Sequence, residues 1–287
     1  MTELKTWGDA LTYTLNTRHT WRHGNGAKTA HINAHHFTRL RGHSFPIKKI
    51  TQPIIGQVCI ELEEEGKTDA TINRVVSAVS TVLNHCAFDD LIEPPPKFRR
   101  RKENEGRVLY FTKDQVHEMN AISRTLFMRD DLADILMVAA YTGARQGELF
   151  KLKVRDIDLS VTTPRVWIGG MPDFVTKAGN CRAVPLHDEI KSILLRRIEG
   201  HQGNTKVFDD WHDKDQLLRA FKKLTGRIGL GDGYVFHTLR HSFGTWCAEA
   251  GVPVRTLMTL MGHKRIETTL RYAKTTDKSL GDAIAAI

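Results

Sequence analysis

The stretch from His237 to Tyr272, HTLRHSFGTWCAEAGVPVRTLMTLMGHKRIETTLRY, organises the whole chain. From Thr238 to Ala250 the apolar residues Leu239, Phe243, Trp246, Cys247 and Ala250 recur at three- and four-residue steps, which predicts a helix with one buried face. His237 starts that helix and Arg240 follows one turn on, so both side chains reach one region near the helix N-terminus, where unpaired N–H groups favour an anion. Gly251 and Pro253 end it and let a second helix begin at Pro253, with Leu257, Leu260 and Met261 inward and Gly262 as its stop. His263 then sits just past a helix end. A further short helix through Ile266, Leu270 and Arg271 is expected to leave the Tyr272 phenol facing a cleft.

Working upstream, Asp131–Tyr141 reads as a buried helix ended by Thr142 and Gly143. A second helix, Ala144–Leu152, is expected to turn Leu149 and Leu152 inward and to place Arg145 and Glu148 together on its other side. The period then becomes strand-like. Val166–Ile168, Phe174–Lys177 and Arg182–Pro185 are three candidate strands, with Lys177-Ala178-Gly179-Asn180 as the turn between the last two and Lys177 at a hairpin end. Helices are predicted over Asp188–Ile198 and Lys214–Ile228.

The run Glu93-Pro94-Pro95-Pro96-Lys97-Phe98-Arg99-Arg100-Arg101-Lys102 forbids helix and repels itself unless an anion neutralises it. It marks a domain boundary. The expected division is residues 1–93 as a helical domain, 94–106 as a basic Pro-rich linker and 107–287 as a second domain. Four helices are predicted before residue 93: Lys5–Arg18; a segment after the Gly24 and Gly26 loop carrying Ile32, Phe37 and Leu40; Gln52–Glu65; and Asp69–Phe88. Their polar faces display Arg39 and Arg41, which with Arg99, Arg100, Arg101 and Lys102 are candidate phosphate contacts. The fold class expected is mainly α, an all-helical first domain followed by an α+β domain with a small antiparallel sheet.

The chain has 287 residues, 42 Lys and Arg against 33 Asp and Glu, and a formal net charge of +9 with histidine neutral. Such an excess favours a polyanionic partner. The four cysteines form no CxxC pair and read as buried free thiols of a reducing compartment. Neither a signal peptide nor an apolar run of about 20 residues is present, so a soluble cytoplasmic protein without a membrane is expected.

Arg145, Lys177, His237, Arg240, His263 and Tyr272 make a coherent chemical set. Two forked guanidiniums suit the non-bridging oxygens of one phosphate, and a phenol beside cations and an imidazole can attack phosphorus. A departing sugar oxygen needs a proton, which Lys177 or a histidine can supply. The segments TGARQGELFKLKVRDIDL, TKAGNCRAVPL, HTLRHSF and LMGHKRIETTLRYA closely resemble, in order and spacing, the motifs of tyrosine recombinases of the phage-integrase type. The resemblance implies that Arg145 and Arg240 clamp a scissile phosphate and that Tyr272 is a nucleophile forming a 3′-phosphotyrosyl bond. It also implies Lys177 as general acid toward the 5′-oxygen, His237 as a general acid/base and His263 as a donor to the phosphate, with Glu148 and His241 supporting. One departure is Met261, where the family more often has Leu.

The same resemblance implies double-stranded DNA recombination sites as substrate, a homotetramer on DNA, possible accessory proteins, and a tail after Tyr272 that packs on a neighbouring protomer through Leu280, Ala283, Ile284 and Ile287. No module is expected before the first domain, and a bacterial host cell is the expected setting. No metal or cofactor is expected: Arg240 lies between the would-be zinc ligands His237 and His241, and Glu249 and Glu267 are the sole carboxylates of the stretch. A non-catalytic repressor would account for the charge but not for this set of side chains, whereas a type IB topoisomerase would use the same ones.

Overall fold

The computed structural model describes residues 4–23, 25–103, 108–172 and 181–272. The chain divides into two compact units, Met1–Gly106 and Arg107–Ile287.

The first unit is helical: α1 (Trp7–Thr17), α2 (His19–Arg22), α3 (Asn25–Arg41), α4 (Gln52–Glu64) and α5 (Asp69–Phe88). Thr6 and Asp9 form a capping box at the start of α1. α5 carries the longest apolar stripe, with Ile72, Val75, Val76, Val79, Val82, Leu83 and Cys86 all buried. Trp7 packs edge-on against Phe37 and its indole donates to Thr38 Oγ1 at 2.8 Å. Two details differ from expectation. Gly26 lies inside α3 rather than in a loop, and Ile32 is exposed while Ala30, Ala34 and Phe37 face the core.

Residues 98–103 lie along this unit. Asn73 of α5 accepts from the Arg101 amide at 2.9 Å and donates to its carbonyl at 2.9 Å, and the Arg101 guanidinium reaches Asp69 at 3.1 Å, Glu63 at 2.8 Å and the Cys59 carbonyl at 3.2 Å. The anion that neutralises part of the basic run is therefore internal. Arg39 forks onto Glu65 and Arg41 onto Glu61, each within 2.8 Å. Arg99, Arg100 and Lys102 have exposed side chains.

The second unit is built around α7 (Asp130–Thr142), buried from Leu132 to its last residue. α6 (Lys113–Thr125) precedes it, and α8 (Gln146–Leu149) follows the left-handed Gly143, φ 62°. The strands β1 (Ile157–Asp158), β2 (Arg165–Ile168) and β3 (Arg182–Pro185) pair antiparallel in that order, Val166 opposite Val184 and Ile168 opposite Arg182. Then come α9 (Asp188–Ile198), α10 (Lys214–Arg227), α11 (Thr238–Glu249), α12 (Val254–Met261) and α13 (Glu267–Leu270). The fold is mainly α with one small antiparallel sheet.

Two expectations change here. The helix predicted over 144–152 is one turn, because Arg145 is extended at its N-cap, φ −75° and ψ 149°. The two-residue β1 completes the sheet, whereas the strand predicted at 174–177 lies outside the described residues.

Asp134, 1 % exposed within α7, accepts from Arg124 of α6 at 2.5 Å and from Arg196 and Arg197 of α9 at 2.6 and 2.7 Å. Burial alone would raise its carboxyl, but the three guanidiniums outweigh burial and hold it below the usual range. Arg124 also meets Asp130, and Arg197 meets Asp210. No helix among the described residues is long and apolar enough to cross a membrane.

Candidate active site

α7 ends at Gly143 for two reasons. Its φ of 62° suits glycine, and an added Cβ would stand 2.6 Å from the Phe243 ring of α11. The tight turn aims the Gly143 carbonyl at Arg240, whose Nη1 donates to it at 2.6 Å while Nη2 donates to the Met261 carbonyl at 2.5 Å. Arg240 is 2 % exposed. Burial first, then Arg145 and Arg182, lowers its pKa to about 10. A guanidinium buried against carbonyls alone leaves several kcal/mol of desolvation uncompensated, which an entering anion would offset.

Arg145 is oriented by Glu148, whose carboxylate accepts from the Arg145 amide at 2.7 Å and from its Nη1 at 2.9 Å. The same carboxylate accepts from Arg182 Nη1 and Nη2 at 3.2 and 3.0 Å, and Arg182 Nε donates to the Leu260 carbonyl at 2.7 Å. Burial would raise Glu148, but Arg182 and Arg145 hold it ionised. Arg182 is 5 % exposed. It carried no role in the sequence expectations, yet a signal was present: it shares a strand face with buried Val184, so its charge had to meet a carboxylate inside the fold.

Tyr272, its phenol expected to face a cleft, is 7 % exposed. The short helix expected through Ile266 and Leu270 is α13, with Ile266 at its N-cap; Ile266 and Leu270 are exposed, and Thr269 takes the buried place. The Tyr272 ring lies on Gly244 of α11, where an added Cβ would stand 2.9 Å from Cζ. Its Oη is 2.7 Å from His241 Nδ1. The His263 ring is parallel to it at 6.4 Å, with Nδ1 2.8 Å from Thr269 Oγ1. His237, exposed at the rim, meets the His241 ring edge-on at 5.1 Å.

The electrostatics are those of a cationic cluster. Burial, then His237, Arg271 and Arg240, lowers His241 to about 4; burial, then Arg240, Arg145 and Arg182, lowers His263 to about 4. His237 is lowered by the burial its ring does have and by Arg240 and Arg145. Burial raises the Tyr272 phenol, and Arg240 and Arg271 offset part of that rise. At neutral pH all three imidazoles are neutral and the phenol keeps its proton.

The structure thus brings Arg145, Glu148, His237, Arg240, His241, His263 and Tyr272 into one cluster, and Lys177 lies outside the described residues. Among the described residues no three His, Cys, Asp or Glu side chains are placed to hold a metal ion. What remains is a site able to hold one anionic tetrahedral group on guanidiniums, with a phenol oxygen and imidazoles beside it.

The sequence pattern of the phage integrase family matches residues 110–279. The chain is 34 % identical over 214 residues to the tyrosine recombinase XerA of Saccharolobus solfataricus, covering 74 % of this chain and 66 % of that protein. It is 27 % identical over 241 residues to the integrase of Escherichia phage P2, covering 83 % and 65 %. The chain therefore spans about two thirds of the length of these relatives. Its fold is similar to that of the Tn1549 transposon integrase in complex with a circular intermediate DNA (TM-score 0.76, 18 % identity, 99 % of each chain). It is also similar to lambda integrase bound as a dimer to a core site (TM-score 0.71, 19 % identity, 95 % of this chain and 78 % of that one). With the matched segment spanning the arginine cluster and its tyrosine, the chain belongs to the phage integrase family.

Proposed function

We propose that this chain is a site-specific DNA recombinase that cuts and rejoins strands through a 3′-phosphotyrosyl intermediate. The observation that carries it is the buried Arg240, held on two carbonyls, with the Tyr272 hydroxyl in the same cluster. Arg145 and Arg240 bind the non-bridging oxygens of the scissile phosphodiester, and Arg182 acts through Glu148 to hold Arg145. Tyr272 Oη attacks phosphorus; the bond from phosphorus to the 5′-oxygen breaks, and Lys177 protonates the departing oxygen. His263, its Nδ1 occupied by Thr269, presents Nε2 to the phosphate, and His237 serves acid–base transfer at the rim. A 5′-hydroxyl of a second strand reverses the steps. The bond energy stays in the ester, so no cofactor or metal is required.

The helical segment of residues 1–93 and the basic run after it bind the DNA backbone, with exposed Arg99, Arg100 and Lys102 as contacts and Arg39 and Arg41 beside them. Four protomers act on paired recombination sites in the cytoplasm of a bacterial host, inserting or excising a mobile or viral genome and exchanging tails through Leu280, Ala283, Ile284 and Ile287. The similarity to a phage integrase and a transposon integrase supports this reading. The test is a nicked suicide duplex carrying the chain's target, first selected by binding from a random duplex library. Denaturing gels should show a covalent protein–DNA adduct that withstands chelator and is absent with Tyr272→Phe. An adduct formed by Tyr272→Phe, or abolished by chelator, overturns the proposal.

A further inference from the structure

We infer that His241 is the general base that takes the Tyr272 proton during cleavage, through the direct contact between its Nδ1 and the phenol oxygen. This rests on the recombinase reading above. Among the described imidazoles, His241 is the one bonded to the reacting atom: its Nδ1 is 2.7 Å from Tyr272 Oη, while His263 spends its Nδ1 on Thr269 and His237 meets only the edge of the His241 ring. The contact belongs to a built slot. His241 and Gly244 lie three residues apart on one face of α11, and the missing side chain at 244 is what admits the tyrosine ring beneath the imidazole.

The charge arrangement suits the role. The groups facing His241 are His237 and Arg240 from its own helix and Tyr272 and Arg271 from the end of α13. Burial first, and then the neighbouring charges including Arg271 and Arg240, keeps the ring neutral in the resting protein, and in the tautomer with its hydrogen on Nε2 the ring offers the Nδ1 lone pair to the phenolic hydrogen. A bound phosphodiester brings one negative charge among the same cations and makes protonation of the ring easier when it is needed. In the step itself the Oη–H bond breaks, its proton goes to Nδ1, the oxygen's electron pair forms the bond to phosphorus, and the electron pair of the broken phosphorus–oxygen bond leaves with the 5′-oxygen. That oxygen takes a different proton, from the acid on its own side.

The two proton transfers can be separated. A duplex with sulfur at the 5′-bridging position releases a thiolate that needs no acid, so it should restore Lys177→Ala but not His241→Asn. The carboxamide of His241→Asn keeps an oxygen near the place of Nδ1 and can accept the hydrogen bond without taking the proton. This variant should bind duplex as the wild type does, form adduct about 10²-fold more slowly, and gain about tenfold per pH unit above neutrality, where wild type is level. Adduct formation by His241→Asn at a near-normal rate, a pH profile parallel to that of wild type, or rescue by the sulfur substrate overturns the proposal. Should His241→Asn not fold, wild type with the sulfur substrate decides the matter: its rate should hold level down to about pH 5 and fall as pH approaches the imidazole value of about 4, and a profile still level at pH 4 overturns the proposal. Failure of the recombinase reading is distinct, since wild type would then give no adduct or Tyr272→Phe would give one.

Discussion

The second unit gathers three arginines beside a carboxylate twice, once at buried Asp134 and once at half-buried Glu148, and the two gatherings differ in charge. At Asp134, the guanidiniums of Arg124, Arg196 and Arg197 meet Asp134, Asp130 and Asp210, so cations and anions match. At the candidate site, Arg145 and Arg182 share Glu148, and Arg240 has only carbonyls. The first arrangement is complete and ties α6, α7 and α9 together. The second is two charges short of balance, which is the condition under which a phosphate gains by entering.

The sharpest way to break this contrast is Arg240→Ala. It should lower the rate of adduct formation by about 10³-fold, read on the suicide duplex, while leaving thermal stability close to that of wild type. A large loss of melting temperature would mean that Arg240 is a staple like those at Asp134. The converse substitution, Asp134→Ala, removes the acceptor that three arginines share, leaving Arg124 on Asp130 and Arg197 on Asp210, and should cost about 3 kcal/mol in urea unfolding, with duplex binding surviving wherever the protein is folded.

Acid should separate the two clusters. His241 and His263 have folded pKa values of about 4 against 6.5 unfolded, so the unfolded chain binds more protons between these values. Their contribution to stability is complete above 6.5 and is lost as pH falls toward 4. The depressed Asp134 carboxyl acts lower, its contribution being lost only as pH falls below the ordinary value of 3.8. Urea midpoints should therefore decline first through the histidine window, and His263→Asn should flatten that decline without touching the later one.

The smallest effects belong to the first unit. Arg100→Ala should leave stability unchanged and reduce the salt slope of duplex binding by about 0.9, one phosphate contact. Arg101→Ala should cost about 1 kcal/mol of stability instead, because its charge is already met by Glu63 and Asp69. Equal effects of the two substitutions on binding would erase the distinction.

Much of this is legible from residue order, and the exceptions share a cause. α5 can be read with its true ends because seven apolar residues keep a helical period along it and Thr68 caps it. α8, β1 and α13 are two to four residues long, too short for any period to show, so the burial of Tyr272 and the exposure of Leu270 could come only from tertiary packing. The members of the chemical set stand out because polar side chains recur among breakers. Arg101 cannot be told from its neighbours, since what distinguishes it is Asn73, 28 residues away.

Gly244 carries a consequence for engineering. Glycine inside a twelve-residue helix costs about 1 kcal/mol relative to alanine, so a stability-guided redesign would replace it first. The added methyl would meet the Tyr272 ring at 2.9 Å, and a firmer helix would come with a displaced phenol. Thermal tolerance and turnover are opposed at this one carbon.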